Sequence, residues 1–106
     1  MSDRKDRLVF DGAFGTYYFS KYGNDELPEY ANVKYPGRVE AIHREYIEAG
    51  ATAIKTNTFC ANSVNFRDSE LLEKTIRSGL MIAEKAADGR AEVFADIGNV
   101  RSDSAE

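Results

Sequence analysis

Residues 43–62 read HREYIEAGATAIKTNTFCAN, and this stretch constrains the fold more than any other part of the chain. It has the form of a helix stopped by Gly50, a short apolar strand, and a polar tip at Thr56, Asn57 and Thr58. A strand that follows a helix in this way belongs to a βα-type fold, and such folds hold their ligands at the carboxyl ends of the strands. The layout recurs near the start, where Leu8, Val9 and Phe10 lead into Asp11 and Gly12, then Ala13-Phe14-Gly15-Thr16. Two strands thereby deliver one carboxylate and a cluster of neutral hydrogen-bonding groups to one rim. This outlines a substrate site, without the residues that covalent chemistry would need.

The remaining elements alternate. Residues 8–11 form the first strand, and residues 12–35 a long connection in which Tyr17, Tyr18 and Phe19 begin a short helix. Pro36 suits the first turn of a helix, where its missing N–H costs nothing. From there Val39, Ile42, Tyr46 and Ala49 recur at helical spacing, and Gly50 supplies the C-cap. Residues 51–56 form the second strand and 57–67 a loop. Asp68 or Ser69 caps a further helix with an apolar stripe of Leu72, Ile76, Leu80 and Ala83, which ends before Asp88-Gly89. A third strand runs from Glu92 to Gly98, and the rim is expected to carry Asp11, Thr56 and Gly98 together. Alternating strands and helices predict parallel pairing through right-handed crossovers. Three βα units close nothing, since a (β/α)₈ barrel takes about 250 residues. The chain is therefore either a small open sheet or the first three-eighths of a barrel.

Composition narrows the class. With 106 residues, 42% of them hydrophobic and 30% charged, the chain holds at most one domain and is globular rather than disordered. The net charge of -4, with acids and bases interspersed, argues against a nucleic-acid partner. No apolar run approaches the roughly 20 residues that span a bilayer, and no secretory h-region precedes Leu8, so a cytoplasmic location is expected. One cysteine permits no internal disulfide.

Several residues have plainer readings. Asp11 is also a suitable turn carboxylate after a strand, and Asn57 and Thr58 suit backbone capping better than substrate contact. His43 follows the core-facing Ile42 and reads as a helix-surface or interhelix residue. Cys60 reads as an inert loop thiol, and the six tyrosines as amphipathic packing. Gly12-Ala13-Phe14-Gly15 lacks the lysine and third glycine of a phosphate-cradling loop.

Taken in order, Asp11-Gly12-Ala13 with Gly15-Thr16, Ala31-Asn32 before Pro36, His43-Arg44-Glu45-Tyr46 with Glu48-Ala49-Gly50-Ala51, Thr56-Asn57-Thr58-Phe59 with Ala61-Asn62, and Ile97-Gly98 resemble the N-terminal part of the homocysteine S-methyltransferase domain. That barrel occurs in methionine synthases, in bifunctional homocysteine methyltransferase/methylenetetrahydrofolate reductases, and in relatives using betaine or S-methylmethionine. The resemblance covers about ninety residues and implies that residues 1–106 are part of such a homocysteine-binding domain. It implies methyl transfer to the homocysteine thiolate to give methionine, with 5-methyltetrahydrofolate as donor, directly or via cobalamin. By the same resemblance Asp11 takes the substrate ammonium, Gly12 offers its N–H to the carboxylate, and Thr56 and Phe59 lie against the substrate. Family members hold the thiolate on zinc through three cysteines from later strands. Here only Cys60 and His43 are available, and Cys60 matches no zinc ligand. The expectation is a substrate half-site without its metal, inactive alone. The alternative is a non-catalytic fragment or subunit that binds an amino acid or needs a partner chain. In either case an uncovered apolar inner face invites self-association or a completing chain.

Overall fold

The computed structural model describes residues 9–96. In chain order they form α1 (Phe14–Tyr22), a 3₁₀ turn (Pro28–Tyr30), α2 (Ala31–Lys34), α3 (Pro36–Glu48), β1 (Ala53–Lys55), α4 (Ser69–Ala87) and β2 (Glu92–Phe94). Strands β1 and β2 pair in parallel, with Ala53 opposite Glu92 and Lys55 opposite Phe94. On the other side of β1, Phe10 makes a single parallel bridge to Ala53. Three segments thus run side by side in one direction, while the ladder proper has two strands.

The expected first strand is shorter than its apolar sequence implies. The Val9 carbonyl accepts from the N–H groups of Thr52 and Ala53, and the Asp11 N–H donates to the Ala53 carbonyl, after which the chain turns into α1. Val9 and Phe10 are about half exposed because nothing among the described residues covers their outer edge. Gly98, expected on the rim, lies outside the described residues, as does Leu8.

Helix α3 begins at Pro36, as its sequence requires, and ends in a Schellman motif. The Gly50 N–H donates to the Ile47 carbonyl and the Ala51 N–H to the Tyr46 carbonyl. Gly50 has φ of 115°, which a side chain would oppose. This cap turns the chain straight into β1. Because the helix stops at Glu48, Ala49 falls in the cap and is exposed, and Ile47 takes its expected place in the core with Val39 and Ile42.

Two small cores result. Phe14, Tyr18, Ala31, Val39 and Ile42 join α1, α2 and α3, while Ile47, Ala51, Ile54, Ala83 and Ala87 join α3, β1 and α4. Complete burial of an isoleucine such as Ile42 or Ile54 stabilises by about 1.5–3 kcal/mol. On the surface, Glu45 receives both the Tyr17 hydroxyl and the Lys21 ammonium, which ties α1 to α3.

Helix α4 departs from its predicted face. Asp68 caps it, accepting from the Glu70 and Leu71 N–H groups. The buried row, however, is Thr75, Gly79, Ala83, Ala86 and Ala87, and Ile76 and Leu80 are each 41% exposed. The bulky stripe Leu72, Ile76 and Leu80 lines an open groove with Ser69, Glu73 and Arg77 instead of packing on the sheet. Small residues let the helix backbone come close to buried polar groups of α2 and the rim, and that close approach decides which face turns inward. Among the described residues no helix is long and apolar enough to cross a membrane.

His43 takes the interhelix one of its two expected places, between α1 and α3. It is fully buried, with its ring 5.1 Å from that of Phe14 and with neither ring nitrogen hydrogen-bonded among the described residues. Burial pushes its pKa down from 6.5 to about 4. The folded state therefore binds fewer protons than the unfolded state between those values. The stability that neutral His43 allows is complete above pH 6.5 and is lost as pH falls toward 4, by about 3 kcal/mol in all. Denaturation midpoints measured from pH 7 to pH 4 should fall more steeply for the wild-type chain than for His43→Leu. Parallel curves would show that His43 is not held neutral.

Candidate functional site

The rim begins with Asp11, placed by the turn that follows the Phe10 bridge. The Lys55 N–H donates to Asp11 Oδ2 at 3.3 Å, so the carboxylate lies over the end of β1. The residue is 7% exposed, and its Oδ1 is buried without a hydrogen-bond partner among the described residues. Burial raises its pKa, the bond from Lys55 and the Lys55 charge oppose that rise, and the charge of Asp96 adds to it. One carboxylate oxygen is thus anchored and the other is left over.

Thr56 follows β1 directly and is almost completely buried. Its hydroxyl can be assigned by counting protons. The Thr58 hydroxyl donates its single proton to the Asp96 carbonyl at 2.8 Å. Oγ1 of Thr56 and Oγ1 of Thr58 lie 2.7 Å apart, so Thr56 must be the donor in that pair. The Asp96 N–H donates to Thr56 Oγ1 at 3.1 Å. The Thr56 hydroxyl therefore has one lone pair to offer a ligand and no proton.

Asn57 and Thr58 hold the rim together. Asn57 Nδ2 donates to the Pro28 carbonyl and to Asn32 Oδ1, both at 2.9 Å. In return Asn32 Nδ2 donates to the carbonyls of Asn57 at 2.8 Å and Thr75 at 3.0 Å. Three regions distant in sequence, around residues 28–32, 57 and 75, meet at this buried pair of amides.

A cavity of about 440 Å³ opens beside the rim, lined by Thr56, Phe59, Phe14, Glu29, Cys60 and Asp96 among others. Of the residues expected to bind substrate, Thr56 and the half-exposed Phe59 line it. Asp11 and Gly12 do not line it. A Cβ on Gly12 would lie 3.2 Å from Tyr46 Oη and 3.3 Å from Tyr46 Cε1, so close packing against this phenol gives the glycine a structural reason. Burial, with the charges of Glu29 and Asp96, raises the Cys60 thiol pKa and keeps it protonated near neutral pH.

Glu29, Asp96 and Asn32 are functional candidates that the residue pattern did not single out. Asp96 fell inside the expected third strand, and because β2 ends at Phe94 it lies past the strand end instead. Asn32 appeared only as one of the matching positions. Glu29 carries no local signal, since its burial comes from the chain folding back over the 3₁₀ turn.

The described residues do not fit a thiolate zinc centre. His43 is sealed against Phe14, Cys60 lies on the loop after β1, and among the described residues no three His, Cys, Asp or Glu side chains are grouped to hold a metal.

The parallel strand order and the carboxylates at the strand ends define an α/β segment with an anionic rim. The chain belongs to the homocysteine S-methyltransferase family, whose profile it matches over residues 8–103. It is 35% identical over 91 residues to a methionine synthase of Mycobacterium tuberculosis, and equally to one of Mycobacterium leprae. Each match covers 76% of this chain and 8% of the relative, so the chain spans about 8% of the length of these curated relatives.

The close approach of α4 to the amide pair is testable. A Cβ on Gly79 would lie 2.7 Å from Asn32 Nδ2 and 3.0 Å from Thr58 Cγ2. Gly79→Ala should cost about 1–3 kcal/mol by overpacking, reduced by up to about 1 kcal/mol of better helix propensity. Urea unfolding should show the loss. A variant as stable as wild type would mean that α4 does not pack this tightly on the network.

Proposed function

We propose that this chain is the amino-acid-binding part of a homocysteine S-methyltransferase, which moves a methyl group onto the homocysteine sulfur to give methionine. The family match over residues 8–103 supports the reaction class. The observation that carries the binding role is the Asp11 carboxylate, with Oδ2 held by the Lys55 N–H and Oδ1 buried and unpartnered. A fixed, desolvated carboxylate suits an α-ammonium group, and Thr56 offers a further acceptor. Gly12 would present its backbone N–H to the substrate carboxylate, and Phe59 would cover the side chain. In this reading residues 1–106 form the first three βα units of a TIM barrel. The three parallel segments and the rim at their carboxyl ends support that placement.

The methyl donor in this reading is 5-methyltetrahydrofolate, acting directly or through cobalamin. The thiolate half of the site is not supplied by Cys60 and His43, so the chain alone would not catalyse transfer. It would need further polypeptide, in the same chain or a partner, to close the barrel. The exposure of Phe10, Phe94, Ile76 and Leu80 supports such a completing contact or self-association.

Two measurements test this reading. Asp11→Asn should weaken homocysteine binding by about ten-fold or more, the scale of one charge-assisted hydrogen bond. Calorimetric titration of the folded variant decides it, and an unchanged affinity removes Asp11 from the site. Metal analysis of the dialysed chain should find no stoichiometric zinc. One tightly held zinc per chain would require ligands other than those assigned here.

A further inference from the structure

A second cavity, of about 220 Å³, opens between the end of α1, the loop of residues 23–27 and the start of α3, and Arg38 lines it. The guanidinium of Arg38 stacks on two phenol rings, with its central carbon 4.5 Å from the centroid of Tyr22 and 4.0 Å from that of Tyr35. Its Nη1 donates to the hydroxyl of the buried Tyr18 at 3.0 Å. These three contacts hold a long, rotatable side chain in one orientation. None of Asp11, Gly12, Thr56 and Phe59 lines this cavity.

The oriented guanidinium lacks a counter-charge. Among the described residues, Lys21, Lys34, Arg44, Arg77 and Lys85 each pair with a glutamate, while Arg38 pairs with no carboxylate. Its hydrogen bond to Tyr18 raises its pKa most, and phenols rather than carboxylates add to that rise. Only one of its five N–H groups has an acceptor among the described residues. The Tyr18 hydroxyl accepts from Arg38 and so keeps its own proton to donate. A planar fork of donors beside a phenol donor matches the oxygens of a carboxylate or a phosphate. The cavity wall chooses between them. Asp25 and Glu26 line it too, and of these only Glu26 is neutralised among the described residues, by Lys34 at 2.5 Å. The remaining negative charge opposes a dianion about twice as strongly as a monoanion. The volume lies below that of drug-sized ligand pockets and suits an acid of a few non-hydrogen atoms.

We propose that the Arg38 cavity binds a small monocarboxylic acid, whose carboxylate accepts bidentate N–H bonds from the guanidinium edge and an O–H bond from Tyr18. This goes beyond the homocysteine reading and does not depend on it. Leu27 lines both this cavity and the one beside the rim, so the two share part of a wall. Arg38→Lys keeps the positive charge and removes the fork, and Tyr18→Phe keeps the ring and removes the phenol donor. The two variants separate anion recognition from simple packing.

The test is an NMR titration of the chain with sodium acetate and with sodium phosphate, at a pH where phosphate is mainly the dianion, against sodium chloride of matched ionic strength. The Arg38 Nε–H and the amide of Gly23, which also lines the cavity, are the reporters. Acetate should shift both to saturation, phosphate should bind more weakly, and chloride should leave both unmoved. Read at Gly23, Arg38→Lys should bind acetate about ten-fold more weakly, the equivalent of one charge-assisted hydrogen bond, and Tyr18→Phe about five-fold more weakly. Absence of a saturable acetate shift in the wild-type chain overturns the proposal and leaves Arg38 as a stacking staple between helices. Acetate binding that appears only in Asp25→Asn overturns it as well, because Asp25 would then be the counter-ion of Arg38. Phosphate affinity equal to that for acetate overturns the choice of a monocarboxylate, and unchanged acetate affinity in folded Arg38→Lys overturns the role of the fork. If neither variant folds, the wild-type Arg38 Nε–H decides: a resonance that moves with acetate no more than with chloride rejects the contact.

Discussion

The rim depends on two side-chain amides facing each other in the interior. Asn32 and Asn57 exchange a hydrogen bond and direct their remaining N–H groups to the carbonyls of Pro28, Asn57 and Thr75. Carbonyls buried at a 3₁₀ turn, a strand end and a helix would each be costly if left unmet. The pair satisfies them together, and its demand for room selects the small-residue face of α4. The cavity, the position of Glu29 and the outward turn of the bulky stripe all follow from this choice. An apolar replacement of either asparagine would strand several backbone acceptors, so the network is sensitive beyond the value of any one bond.

The sequence was most readable where backbone chemistry is local. Pro36 and Gly50 bounded α3, Asp68 capped α4, and the parallel order came from alternating strand and helix patterns. Periodicity placed only Ala83 of the buried face of α4, because it detects bulky apolar residues and the rest of that face is Thr75, Gly79, Ala86 and Ala87. It left His43 open between the helix surface and the interhelix space because an imidazole is counted as polar, and packing against Phe14 settles the interhelix place. Within the candidate site, Asp11 and Thr56 were visible as polar groups at the ends of the first two expected strands. Glu29 was not, since a carboxylate after a proline in a connection looks solvated until the tertiary fold covers it.

The rim has a consistent chemical character. Asp11, Glu29 and Asp96 contribute charge, Thr56 contributes only a lone pair, and the lone thiol stays protonated. The carboxylates of such a site repel anions through their charge. An amino acid would therefore have to place its own carboxylate away from these groups, toward backbone N–H donors such as that of Gly12. Orientation of the substrate then comes from two ends of opposite demand, and less from the shape of the cavity.

The amide network also bears on how the chain reaches this structure. Its bonds join residues 25 to 43 positions apart, whereas α3, its glycine cap and β1 form from neighbours in sequence. Closing those loops costs entropy before any buried carbonyl is repaid, and a network with one member missing holds dry, unmatched dipoles. Partial assembly is thus worse than none, and the 3₁₀ turn, the strand end and α4 should arrive in a single late step. The residues that shape the binding rim would set the height of the folding barrier, coupling the speed of folding to the geometry of recognition.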